Sequence, residues 1–423
     1  MTAGKQALVI GGSLGGLFAA ALLRKAGWAV TLFERSKGAL DSRGAGLGTT
    51  LELAETMRRA GARLDVSMAV PLSGYVWLDV AGRVAHSHPR PHSSSTWSRV
   101  YLPLRAAIPD SHYRAGMALE RVEQSGKRVT AIFAGGERAE ADLLIAADGS
   151  LSTVRRQFMP DVQPRYAGYV AWRGMMEERD VPPTIHATVF DKIAFNFPEG
   201  EMALAMPVPG AGDDTRPGHR RYYFIWYRPT DAATLSDLCT DAEGKHHGIS
   251  IPPPLIRPEV IRAVKDRAGD LFAPELAAVI RRMPQPLLQA ISDLESPRLV
   301  EGRVVLLGDA AFAARPHVAA GATKAALDAA ALADALGAGG DIDTGLAGYE
   351  RKRLAFGRDI VAHGRKLGTM LDGKIKPRAE WTGDDVYRDP KRVMSDYGAP
   401  HLVRDLTARD LTARDLTPET SHA

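Results

Sequence analysis

The run Ala7-Leu8-Val9-Ile10-Gly11-Gly12-Ser13-Leu14-Gly15-Gly16 decides how this chain is read. Four apolar residues in a row suit a strand buried on both faces, as in a parallel sheet. The glycines that follow allow a turn too tight for side chains. Leu17, Ala20, Ala21, Leu22 and Leu23 continue at helical spacing up to Gly27, a helix stop. Val30, Leu32 and Phe33 then form a second strand, which ends at Glu34 and Arg35. Strand, glycine turn, helix and strand together make a unit that binds dinucleotides. Its glycines let the backbone approach a pyrophosphate, and the helix start offers N–H groups to the phosphates. A carboxylate about 20 residues further on takes ribose hydroxyls. Gly11 and Gly16 fit the pattern G-x-G-x-x-G, while Ser13 stands where its middle glycine is expected. Serine is small, and its hydroxyl can donate to a phosphate.

Two further strand ends carry similar signals. Leu143-Leu144-Ile145-Ala146-Ala147 is a buried-strand run closed by Asp148-Gly149-Ser150, with Arg155-Arg156 soon after. Arg303-Val304-Val305-Leu306-Leu307 runs into Gly308-Asp309, and Pro316 and Gly321 lead into an alanine-rich helix over about 321–337. Ligands in open α/β sheets bind at strand C-termini, so three such signals in this order point to one site. Between them, Val129–Phe133 alternates and meets a hairpin turn at Gly135-Gly136. From about 165 to 285 the texture changes to strands with Pro and Gly breaks, at 168–177, 192–197, 202–208 and 221–228. The expected division is a discontinuous nucleotide-binding domain, 1–165 and 290–370, with a sheet domain inserted at 166–289 and an extension at 371–423. The repeated RDLTA of 404–418 sets a leucine every five residues, about 500° around a helix, so these leucines share no face. A solvated, disordered tail is the expectation there.

Composition narrows the class. The chain has 423 residues, 45% hydrophobic and 25% charged, ordinary for a folded globular protein. A single cysteine, Cys239, excludes an intramolecular disulfide and a multi-cysteine metal or iron–sulfur site. No His/Asp/Glu set has metal-ligand spacing, so no metal is expected. Basic and acidic residues number 54 and 50, a weak excess, with no basic, aromatic-studded run to hold nucleic acid. No apolar stretch approaches the length of a membrane span, and the N-terminal run reads as a strand rather than a leader. A cytoplasmic location is the default expectation.

Here the residues reach a family. The order of Gly11–Gly16 with Glu34, Arg43-Gly44-Ala45-Gly46, Asp148-Gly149 and Gly308-Asp309 resembles the single-component FAD-dependent aromatic hydroxylases. Para-hydroxybenzoate and salicylate hydroxylases are members of that family. The resemblance covers about residues 5–370. It implies an α/β fold: a Rossmann-like FAD domain on a parallel sheet, an inserted mainly-β substrate domain and C-terminal helices. It also implies that Gly11, Ser13, Leu14 and Gly16 line the FAD pyrophosphate and that Glu34, with Arg35 beside it, meets the adenosine ribose. Arg43 would lie along the flavin. Gly308 and Asp309 would hold the ribityl or pyrophosphate part. Pro316 and the backbone of Ala320, Gly321, Ala322 and Thr323 would face the flavin ring, where a positive helix end favours negative charge on reduced flavin. Asp148, Gly149 and Arg155 match a segment implicated in binding both FAD and NAD(P)H. Arg105 is a further cofactor contact to test, although a solvated charge on a helix face explains it equally well.

The implied reaction uses NADH or NADPH and O2 to hydroxylate an electron-rich ring through a flavin hydroperoxide. The resemblance points to a pyridine-diol such as 2,6-dihydroxypyridine. A phenolic acid or a secondary-metabolite phenol stays open as substrate, and a homodimer is expected at family level. An ionised ring hydroxyl raises the ring's electron density, which asks for a proton acceptor nearby. His317, in the loop beside the flavin, is the expected one. Tyr223 and Trp172 are expected to line the pocket. A halogenase is disfavoured because no two tryptophans are separated by one residue. A disulfide reductase lacks its cysteine pair. A non-catalytic FAD-binding protein is the alternative from another class.

Overall fold

The computed structural model describes residues 4–38, 40, 46–62, 69–337, 340–374 and 376–398. Arg43 and the repeat tail at 404–418 lie outside the described residues.

Among the described residues, one sheet of six strands carries the nucleotide-binding pattern. Gln6–Ile10 lies at its centre, parallel to Ala29–Glu34 on one side and to Leu143–Ala146 on the other. Val304–Leu306 and Tyr113–Ala115 extend the parallel set outward, and Val300–Glu301 closes one edge antiparallel. Register puts Ile10 opposite Phe33 and Ala146, and Ala146 opposite Leu306. The carboxyl ends of four strands are therefore level, and the glycine turn, Glu34, Asp148 and Asp309 all sit at that one edge.

Gly11 and Gly16 explain why the turn is glycine. Gly11 has φ +108°, and a Cβ there would enter the Ala147 carbonyl. A Cβ on Gly16 would overlap the carbonyl oxygen of Gly11 itself. The helix Leu14–Lys25 that follows buries Leu14, Leu17, Phe18 and Ala19 to Leu23 against the sheet. A long helix, Gly321–Ala335, packs alongside it, and Gly15 is small enough to admit Leu307 and Ala325 between them.

The second sheet has nine strands among the described residues, ordered Phe312–Ala313, Leu287–Glu295, Arg165–Glu177, Arg221–Pro229, Met202–Val208, Lys192–Asn196, Val70–Leu78, Val84–Thr96 and Gly46–Gly48. Residues 166–289 alone do not make it, because the segment 46–96 supplies three strands. The expected division put that segment in the nucleotide-binding domain; pairing of Val70–Leu78 with Lys192–Asn196 joins it to the second sheet instead. Strand alternation splits the sheet's side chains into two cores. Val170, Trp172, Tyr222, Phe224 and Trp226 face helices Pro258–Leu271 and Pro274–Arg282. Tyr169, Ala171, Tyr223, Ile225 and Tyr227 face the other way. The extension beyond 371 contributes to that second core through Val393, Met394 and Tyr397, so within its described residues it is packed structure.

Gly16→Ala is expected to destabilise the protein by about 1–3 kcal/mol, the usual cost of overpacking. Gly38→Ala, with open space around its Cβ, is the neutral control. Urea unfolding midpoints of the two variants check this.

Candidate active site

The strand-end edge is a cradle for an anion. Helix Leu14–Lys25 starts at Ser13 with no side-chain cap and no acidic residue in its first turn. Helix Gly321–Ala335 likewise starts uncapped, after Ala319 in the left-handed region at φ +47°, unusual for a residue with a Cβ. Their first-turn N–H groups are left for a ligand or water. Glu34 is buried and accepts from the N–H groups of Gly12 (2.7 Å) and Ser36 (2.8 Å), which fixes the turn. The Asp309 carboxyl is pushed up by desolvation against the pull of Lys324, yet its side chain is 57% accessible. Behind it lies a buried charge cluster. Asp328 accepts from the Gly308 N–H at 3.0 Å and from Arg353 at 2.8 Å, with Lys324 at 3.5 Å.

A cavity of about 1010 Å³, counting space open to solvent, begins where the second helix starts. Pro316, Ala319, Gly321 and Ala322 form one end, and Gly46 to Thr50 form a side. The large sheet supplies its floor: Tyr75, Arg90, His92, Arg173, Tyr223 and Tyr227, with Tyr397 and Gly398 closing over it. Gly46 is glycine because a Cβ would press on the Tyr223 ring at 2.7 Å. Arg173 bonds the Tyr223 hydroxyl at 3.3 Å and leaves its Nε unpartnered. Burial pushes the Tyr223 hydroxyl up while Arg173 pulls it back, and burial pushes Tyr227 up to about 12. Both tyrosines are thus neutral donors facing a cation. Such a floor has the chemistry to hold an anionic oxygen on a flat ring, which can stack on tyrosine faces and accept from a guanidinium.

A family model described as FAD binding domain-like matches residues 166–293. The chain is 31% identical over 373 residues to 2,6-dihydroxypyridine 3-monooxygenase of Paenarthrobacter nicotinovorans, covering 87% of this chain and 92% of that one. The chain belongs to the FAD-dependent aromatic hydroxylases. A FAD-dependent urate hydroxylase of Klebsiella pneumoniae is 30% identical over 390 residues, 87% of this chain and 91% of that one. The solved 2,6-dihydroxypyridine-3-hydroxylase of Arthrobacter nicotinovorans superposes with a TM-score of 0.82 at 29% identity, over 89% of this chain and 96% of that one.

In this hydroxylase the expected residues divide. Gly11, Ser13, Leu14, Gly16, Glu34, Asp148, Gly149, Gly308 and Asp309 gather at the strand-end edge, and Arg35 is exposed beside Glu34. Pro316, Gly321, Ala322 and Tyr223 line the cavity. Ala320 is the buried N-cap, and the Thr323 hydroxyl pairs with Thr50 at 3.1 Å. Trp172 does not reach the cavity. It is one residue out of phase with Tyr169, Ala171 and Arg173, so the pleat sends it to the opposite core. His317 does not reach it either. Its ring is fully buried, Nε2 lies 2.7 Å from the Tyr169 hydroxyl, and Nδ1 has no partner. Burial, with the charges of Arg315, Arg173 and His363, lowers its pKa to about 3. It is a neutral packing group.

Two arginines also act away from the cavity. Arg155 is fully buried and donates to the carbonyls of Ser150, Val162 and Ala310, so it ties two strand-end turns together. Arg105 pairs with Asp110 and lies 4.0 Å over the Tyr113 ring. Tyr113 in turn abuts Gly12 and Glu34, so Arg105 touches the cradle through an intermediary. Asp148 caps the helix Thr153–Phe158 through Oδ2, and burial raises its pKa against that capping. Sequence reasoning missed Arg173, Arg90, His92, Tyr75, Tyr227 and Tyr397. A signal existed for Arg173: it is a lone cation in an otherwise apolar run from Tyr169 to Met176.

His317 is expected not to titrate between pH 5 and 8 when followed by its ring proton shifts. Its depressed pKa gives a stabilisation that is complete above the unfolded value near 6.5. It is lost as pH falls from there toward 3, and His317→Phe should flatten that loss.

Proposed function

We propose that this enzyme uses NAD(P)H and O2 to hydroxylate a small hydroxylated ring, a pyridine-diol such as 2,6-dihydroxypyridine. The observation that carries this is the position of Arg173. A half-buried guanidinium and two neutral tyrosine hydroxyls form a floor directly beside the uncapped helix start at Gly321.

The residues present fit FAD. The glycines at 11, 12 and 16 permit a turn so tight that Cβ atoms there would strike Ala147, Tyr113 and the Gly11 carbonyl, and the uncapped helix start at Leu14 beside that turn suits the pyrophosphate. Glu34 would take the adenosine ribose and Asp309 the ribityl chain, while the N–H groups of Gly321 to Thr323 would meet the flavin's polar edge. Bound there, FAD supplies the transfer of electrons from the nicotinamide and of one oxygen atom from O2 to the ring. The functional division that follows sets 1–165, apart from 46–96, and 290–370 around FAD. The large sheet, with 46–96 and 390–398 included, surrounds the substrate.

The chain's own part is binding, orientation and control of charge. Arg173 holds the ring's ionised hydroxyl, which lowers that hydroxyl's pKa and raises electron density on the ring carbons. Tyr223 and Tyr227 keep their protons and donate to the same oxygen. Tyr75, Ile193, Ile225 and Met206 give the rest of the wall an apolar surface that excludes water.

The purified protein is expected to oxidise NADH or NADPH faster when 2,6-dihydroxypyridine is added, and the product to gain one oxygen by mass. Stimulation without that gain would make the compound an effector and a phenolic ring the substrate. Arg173→Met should weaken ring binding by roughly 10–100-fold, the worth of one charged hydrogen bond, while the bound flavin absorbance stays unchanged.

A further inference from the structure

The last described segment, Pro390–Gly398, enters the cavity wall from a part of the chain that no nucleotide-binding or sheet pattern predicts. Its helix, Pro390–Asp396, buries Val393 and Met394 on the large sheet and delivers Tyr397 to the cavity. The segment is tied on three sides. Arg90, on the strand Val84–Thr96, donates to the carbonyls of Tyr397 (3.2 Å) and Ser395 (3.4 Å). These are carbonyls at the helix end, which lack intrahelical partners and carry negative dipole, so a guanidinium satisfies both needs. The Gly398 N–H donates to the His317 carbonyl at 3.1 Å, joining the segment to the turn at the cavity's other end. His363 Nε2 lies 3.3 Å from the Asp396 carbonyl, and the Tyr75 hydroxyl donates to the Tyr397 carbonyl at 3.3 Å.

The Tyr397 ring is held edge-on by Phe195 at 5.1 Å and by Tyr75 at 6.5 Å. A buried aromatic fixed on two faces is a rigid wall rather than a mobile contact. We propose that Tyr397 limits the size of ring this cavity accepts, and that Arg90 is the positioning residue that latches the segment bearing it. This rests on the cavity being the substrate site of the proposed hydroxylase. Truncating the wall would open space that a second fused ring fills, whereas losing only the phenolic oxygen would not.

The test uses the FAD-loaded full chain and two ring pairs: 2,6-dihydroxypyridine with 2,4-dihydroxyquinoline, and resorcinol with 1,3-dihydroxynaphthalene. Isothermal titration gives the one-ring to two-ring affinity ratio. Wild type should favour the single ring, and Tyr397→Ala should shift the ratio at least about tenfold toward the fused ring, within the range that shape differences in a pocket produce. Tyr397→Phe should leave the ratio unchanged. Arg90→Gln should shift it in the same direction as Tyr397→Ala, and amide deuterium exchange should rise roughly tenfold in 390–398 alone. Arg90→Lys, which keeps one donor, should recover part of both effects. An unchanged ratio in Tyr397→Ala overturns the size-setting role, and unchanged exchange in Arg90→Gln overturns the latch. A wild type that binds neither ring of either pair overturns the hydroxylase reading and the selecting role with it. Deuterium exchange still decides the latch in that case.

Discussion

Everything at the nucleotide edge depends on one close approach: the backbone of Gly11 against Ala147 and the backbone of Gly16 against Gly11. Two neighbouring parallel strands end level there, and the first helix must start at once. Only residues without Cβ atoms fit, and the helix that starts there has no side-chain cap on its first-turn N–H groups. Glu34 stiffens the turn by accepting from it, and Arg155 ties the next two strand-end turns to each other. The cleft is thus held open by backbone geometry and buried side chains before any cofactor arrives.

The second sheet solves a different problem. One face must be sealed and the other must stay hollow. Alternation accomplishes both along the same strands. Trp172, Trp226 and Phe224 pack under helices, while Arg173, Tyr223 and Tyr227 face the cavity. A register slip of one residue would exchange these sets and destroy both the core and the pocket. The register of Trp172 with Trp226 and of Arg173 with Ile225 therefore belongs to function as much as to stability.

Much of the nucleotide edge was legible along the chain. The glycine turn, Glu34, Asp148 and Asp309 were found because local backbone rules demand particular residues at strand ends. The strands at 202–208 and 221–229 were found because alternation is a local pattern. The placements of His317 and Trp172 differed for a shared reason. A motif neighbourhood says which segment is near a site but not which way a side chain turns within it. His317 turns toward Tyr169 and away from the cavity, and Trp172 sits on the wrong phase of its strand. The same limit hid Tyr397, which reaches the pocket through long-range docking of its segment on the large sheet.

The sequence by itself determined the cradle, because steric and hydrogen-bonding demands at a glycine turn involve residues close together in the chain. It also determined the two sheet textures, which follow from periodicities of a few residues. Only the tertiary structure decided the cavity. Its walls come from segments near 46–50, 75–94, 173–227, 316–322 and 397, and they meet because buried sheet faces must be covered. Side-chain direction, and with it the presence of Arg173 rather than His317 in the cavity wall, is a property of packing between segments.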